Sequence, residues 1–308
     1  MGDNTINEQQ NEVTGGQSGM PEKKVRIGYI FLSVVPLAVL VAIQTAAQIP
    51  FLIMASVDAI TGTDISGDAF DVYDKILEIF KGKYAIYAYL IYAAAGVAVF
   101  AIWYYKGFVK KNPKVRLGEV FGVKSILAAT GLAIGLFFSI NAALTLAEWL
   151  FPRAIEAYNE MLEMAGIVSD PVLTILYGLI LGPIVEELCF RGVIYAIIER
   201  SGVRPWICIL IPSLFFGGMH LIPVQVAYAT VLGLFLGYLR YKYRSVTITI
   251  ATHMLFNFFG TFVSELIDGL GFTDGLALIF GGVSLFIVVF AIVLINGDKK
   301  AFKPASNS

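Results

Sequence analysis

The chain has 308 residues, 57% of them apolar and only 15% charged, and its mean hydropathy is +0.77. A soluble domain carries about 25% charged residues, so this composition excludes an ordinary soluble enzyme and points to a polytopic membrane protein. Nothing in the sequence resembles a nucleic-acid patch, and two cysteines in apolar stretches, without a CxxC, do not indicate a disulfide framework.

Residues 1–22 are polar and lack an apolar core, which reads as a disordered tail and not as a cleavable signal. Eight apolar stretches follow, at 27–57, 84–105, 125–147, 171–198, 205–221, 224–239, 245–264 and 275–297. About 20 apolar residues cross a hydrocarbon core of about 30 Å, so each is a predicted span, with the fifth and sixth divided only at the His220–Pro223 bend. The loop from Thr61 to Asp74 is acidic and reads as a solvated outer loop, since it lacks the spacing and closing Glu of an EF-hand. From Phe151, the stretch FPRAIEAYNEMLEMAGI places apolar residues at helical spacing opposite Glu156, Glu160 and Glu163, which suits a helix lying at the interface. The expected fold is all-α: a bundle of about eight transmembrane helices in the cell membrane. Its parts are the tail (1–22), three spans with the outer interfacial helix (23–170), a core holding the polar motifs (171–264), and the last span with its tail (265–308).

Lys and Arg sort by side. With a cytoplasmic start, the inner segments hold 17 of the 22, including Lys106, Lys110, Lys111, Arg200, Arg204, Arg240, Lys242 and Arg244. The outer segments hold Lys75, Lys81, Lys83 and Arg153, and the one left over is Arg191, inside the fourth span. Short cytoplasmic loops collect positive charge, so both termini are expected in the cytoplasm.

The fourth span contains GPIVEELCFRGVIY, residues 182–195. An ionised group at the bilayer centre costs about 2.5–3.5 kcal/mol on insertion scales, so such residues are functional candidates. Glu187 and Arg191 stand i, i+4 with the acid first, the favourable order for an ion pair on a helix. Glu186 is turned about 100° from Glu187 and is free to face a cavity. The chain's two histidines, His220 and His253, both fall in predicted spans, each with a neighbour one turn away, Phe216 before His220 and Asn257 after His253. Phe216 reads as packing and Arg191 as structural, while two histidines with a carboxylate pair point to a functional site within the membrane.

EELCFRG, FGGMH and HMLFN, in this order on separate helices, resemble the EExxxR, FxxxH and HxxxN motifs of the CPBP, or Abi, family of intramembrane proteases, which includes the type II CAAX prenyl endopeptidases or Ras-converting enzymes. The likeness covers about residues 171–264, and the eight-span architecture agrees with it. It implies an endopeptidase that cuts a membrane-associated protein or peptide, a lipidated one included, with the bilayer as its surroundings and no nucleic acid as partner. Glu186 then matches the family's catalytic glutamate, sharing a water with His220, and His253 and Asn257 match the pair that stabilises the oxyanion. Glu187, Arg191 and Phe216 support them. The resemblance leaves the cofactor open between none and zinc: Glu186, His220 and His253 also make a His2Glu set with an open water position. No HExxH, GxSG or GxGD competes. Two alternatives come from other classes. One is a proton-coupled transporter relaying protons through the buried Glu and His cluster, and the other is a non-catalytic binding or immunity protein on the same scaffold.

Overall fold

The structure, a computed structural model, describes residues 25–62, 68–110, 120–165 and 170–301. The predicted tail 1–22, the middle of the acidic loop and most of the basic segment after Lys110 lie outside the described residues. The fold is all-α, with no strand among the described residues. Among the described residues there are nine helices: α1 Gly28–Thr61, α2 Ala69–Val109, α3 Val123–Leu150, α4 Pro152–Ala165, α5 Pro171–Glu199, α6 Pro205–Gly218, α7 Pro223–Tyr243, α8 Val246–Ile267 and α9 Asp274–Gly297.

Local chemistry sets the helix ends. Asp170 caps α5, its carboxylate accepting from the amides of Val172 and Leu173 at 2.9 and 3.1 Å, with Pro171 in the first turn, where its missing N–H costs nothing. Pro205 and Pro223 open α6 and α7 in the same way. Asp68 and Asp71 form a capping box, so α2 begins at Ala69 and the second half of the predicted acidic loop is helical.

Among the described residues six helices, α1, α2, α3, α5, α8 and α9, are long and apolar enough to cross a membrane. This is a multi-pass membrane protein. The predicted fifth and sixth spans correspond to α6, which has 14 residues, and α7, which has 21; neither is among those six. Residues 152–165 form α4, the predicted interfacial helix. The outward side of α9 is apolar, with Phe286 77% and Phe290 62% exposed, a patch that suits lipid and not water.

At the centre is α5, packed against α1, α2, α6, α7 and α8, while α9 lies along α3. Contact between α5 and α7 is close at Gly233, where an added Cβ would sit 3.0 Å from Ser213 Cβ and 3.1 Å from Arg191 Nη2. Small residues let helices approach in this way inside a membrane.

One correction concerns the basic segment that closes the sixth predicted span. Arg240 is not a loop residue: α7 runs on to Tyr243, and Arg240 is buried, its Nε donating to the Arg191 carbonyl at 3.0 Å and its guanidinium 4.9 Å from the Tyr195 ring centre. A long aliphatic stem lets such a residue lie along apolar surface while its head finds polar partners. Arg244, in the left-handed conformation that ends α7, pairs with Glu199 at 3.6 Å.

The sidedness is open to a direct measurement. A cysteine replacing Phe70, which is 78% exposed, is expected to react with a membrane-impermeant maleimide in intact cells, and one replacing Lys110 only after permeabilisation. The native Cys189 and Cys208 are buried and stay silent. The reverse labelling pattern would invert the topology.

Candidate active site

The site is built where α5 changes its winding. Two π-helical turns interrupt it, Tyr177–Leu181 and Leu188–Ile194, with a short α-helical piece, Gly182–Glu187, between them. Switching from i+4 to i+5 hydrogen bonds leaves backbone carbonyls for other donors, and such turns recur at functional sites. Both π turns are used this way. Asn257 Nδ2 donates to the Gly178 carbonyl at 2.8 Å, and Arg240 takes the Arg191 carbonyl.

The two adjacent glutamates diverge. Glu187 is fully buried and pairs with Arg191, itself only 1% exposed, at 2.6 Å from Nη1 to Oε1. Arg191 Nη2 donates to the Gly233 carbonyl at 3.1 Å, and its guanidinium lies 4.6 Å from the centre of the Phe216 ring. A cation over an aromatic face is favourable, the more so where water is absent. The Glu186 side chain keeps 24% exposure and lines a cavity of about 540 Å³ together with His220, His253, Asn257, Phe216 and Tyr228. Ligand pockets typically hold about 300–1,000 Å³. A smaller cavity of about 150 Å³ shares Glu186, Phe216, His220 and Tyr177 with it. The structure therefore brings Glu186, His220, His253 and Asn257 onto one cavity, with Glu187 and Arg191 behind it.

Both histidines have one ring nitrogen committed. His220 is not in the helix: α6 ends at Gly218, and His220 lies in the turn before Leu221, which has a φ of +63°. The spacing to Phe216 serves a backbone bond, His220 Nδ1 to the Phe216 carbonyl at 2.9 Å. His253, buried on α8, has Nδ1 3.1 Å from Glu187 Oε1 and Nε2 3.8 Å from Glu186 Oε2. A carbonyl and an ionised carboxylate only accept, so each histidine carries its proton on Nδ1 and turns Nε2 to the site. The Phe216 ring stands edge-on to both imidazoles, 5.1 Å from His220 at 79° and 5.5 Å from His253 at 89°. Phe216 packs as expected of it, and what it packs is the site itself.

Residues 168–259 match the family model described as type II CAAX prenyl endopeptidase Rce1-like, a segment that contains all of these side chains. That segment, just under a third of the chain, is similar to the Rce1-like family. No curated protein and no solved structure matches the chain. The Rce1-like family is one of membrane endopeptidases, and that general activity is what the match supports.

The candidate zinc set in the matched segment meets one requirement and fails another. A metal-bound histidine donates its other N–H to a carboxylate or carbonyl, as His253 and His220 do. Yet among the described residues no group of three or more His, Cys, Asp or Glu is arranged to hold a metal ion. Glu186, His220 and His253 line the same cavity.

Several lining residues were not singled out in the sequence. Gln225, Tyr228, Ala229 and Leu232 face the cavity from α7, and their spacing of three, four and seven residues, one stripe of a helix, is the signal that identifies them.

Proposed function

We propose that this protein is a glutamate-dependent intramembrane endopeptidase that hydrolyses a peptide bond in a lipid-modified, membrane-associated substrate. The observation that carries the reading is that Glu186, His220, His253 and Asn257, from α5, α8 and the turn after α6, line one cavity. In it, a water donates one hydrogen to the Glu186 carboxylate and the other to His220 Nε2, which is the free acceptor because Nδ1 is bonded to Phe216. Glu186 takes the proton as the oxygen attacks the carbonyl, and such general-base help contributes typically about 10²–10⁴-fold. Asn257 has a second amide hydrogen beyond the one given to Gly178, and it donates to the oxyanion. His253 becomes a donor at Nε2 only when that nitrogen gains a proton.

Lipid modification of the substrate is supported by a second cavity of about 530 Å³, lined by residues such as Leu136, Ile140, Ala147, Val231 and Val288 and sharing Tyr228 with the first. Its lining is almost wholly apolar, so a hydrocarbon chain is accepted there while the peptide lies across Glu186. The family's printed name, prenyl endopeptidase, agrees.

The test is cleavage of a lipidated peptide by pure protein in detergent. Turnover there supports the protease, whereas activity that needs a sealed vesicle and a proton gradient would favour the transporter. In the same assay Asn257→Ala is expected to lower turnover about 10²–10³-fold, the usual loss for one oxyanion donor. Inactivation by a chelator with recovery on zinc addition would replace the metal-free mechanism.

A further inference from the structure

We propose that Glu187 is a positioning residue for His253, and that His253 so held is the proton carrier between Glu186 and the leaving amine. The inference rests on the reading of Glu186 and His220 as the holders of the attacking water.

A single oxygen makes the connection. Glu187 Oε1 accepts from Arg191 Nη1 at 2.6 Å and from His253 Nδ1 at 3.1 Å. Arg191 keeps the carboxylate ionised, so it accepts only, and the proton of a neutral His253 is fixed on Nδ1. Which ring nitrogen is protonated follows from the bond that the other makes. The Nε2 lone pair is thereby directed at Glu186 Oε2, 3.8 Å away, a gap closed by a small side-chain shift or by one water. Phe216 edge-on to the ring and burial on α8 leave His253 little freedom to turn. With the other tautomer, Nε2–H would donate to Glu186 and compete with the water for its base.

The proton balance is complete. As the water oxygen bonds to the peptide carbon, one O–H breaks, its proton goes to Glu186, and the carbonyl pair moves onto oxygen. Glu186 passes the proton to His253 Nε2, and the imidazolium is held by Glu187 through Nδ1–H. When the carbonyl re-forms, the C–N bond breaks, its electron pair stays on nitrogen, and nitrogen takes the proton from Nε2. Glu186 ends ionised, His253 neutral, and the products are a carboxylic acid and an amine. Asn257, which does not titrate, is left as the standing oxyanion donor.

Because the chain has only two histidines, ¹⁵N-histidine labelling of the full protein in detergent gives four ring nitrogens, assigned with a His220→Gln variant. The expected spectrum of the resting protein, without substrate and with His253 neutral, has Nδ1 protonated and Nε2 bare. A protonated Nε2 in that spectrum would overturn the proposal, whatever the activity. Function is read in Glu187→Gln combined with Arg191→Met, which removes both buried charges together and is the variant expected to fold. Because the Gln amide can donate as well as accept, the proton should no longer be confined to Nδ1, both ring nitrogens should show partial protonation, and kcat should fall by about 10²–10⁴-fold, the range for a misoriented acid–base group, with KM nearly unchanged. Glu187→Asp, which keeps a carboxylate, should recover part of both. A double variant with normal kcat would sink the proposal while leaving the protease reading intact. An inert wild-type protein with the expected spectrum would do the opposite: the positioning by Glu187 would stand and the hydrolytic reading would fall.

Discussion

Glu186→Gln is expected to lower peptide cleavage by about 10²–10⁴-fold, the usual contribution of a general base, with an unchanged melting temperature. Gln keeps the volume and one acceptor oxygen but takes no proton at neutral pH. The fold does not depend on this carboxylate: its side chain is part-exposed on the cavity and its recorded ion-pair contact, to His253 Nε2, is a loose 3.8 Å. Arg191 is neutralised by Glu187, so losing the Glu186 charge strands nothing. Turnover of a lipidated peptide and thermal unfolding in the same detergent check both halves. A Glu186→Gln protein within ten-fold of wild type would move the base to His253, whose Nε2 is free, and a fall in melting temperature matching that of Glu187→Gln would mean that both carboxylates are structural.

How much of this was legible without coordinates depends on the range of the interaction. Spans at 171–198 and 275–297 stood out because each is a long apolar run, and helices of matching length occupy them, Pro171–Glu199 and Asp274–Gly297. The Glu187–Arg191 pair is local, i, i+4 on one helix, so spacing alone suggested it. The bond between Glu187 and His253 joins residues 66 apart, and no periodicity carries that. Nor did the motif spacings reveal the π-helical turns that expose Gly178 and Arg191 carbonyls. Arg240 misled for a physical reason: positive charge near a span end reads as loop, while burial against Tyr195 and a backbone acceptor makes it helix interior. Tyr228 was invisible as the shared wall of two cavities because α3 and α4 on one side of α7, and α5 and α8 on the other, come together only in three dimensions.

Glu187→Gln and Arg191→Met are each expected to lower unfolding stability by about 3–5 kcal/mol, the cost of breaking a buried ion pair from one side. The pair starts with little in reserve. Even in the intact protein, Glu187 Oε2 and Arg191 Nε are buried without a hydrogen-bond partner among the described residues. Removing either charge leaves the other facing hydrocarbon, Arg191 with the Phe216 ring and the Gly233 carbonyl, or Glu187 with His253. Combining the two changes removes both ions at once, and replacing a whole buried pair by uncharged side chains is often near neutral. The double variant is therefore expected to be more stable than either single one, a coupling read directly from a double-mutant cycle of unfolding free energies. Activity should not follow stability. With the Glu187 carboxylate replaced by an amide, the His253 imidazolium has lost its counter-charge and its tautomer is no longer fixed, so the double variant should melt near wild type and still cut slowly. Additive losses, with the double variant the least stable of the three, would mean that Arg191 is anchored by Gly233 and Phe216 and not by Glu187. Recovery of cleavage together with stability would mean that Glu187 supports the helix alone, and that His253 needs no carboxylate behind it.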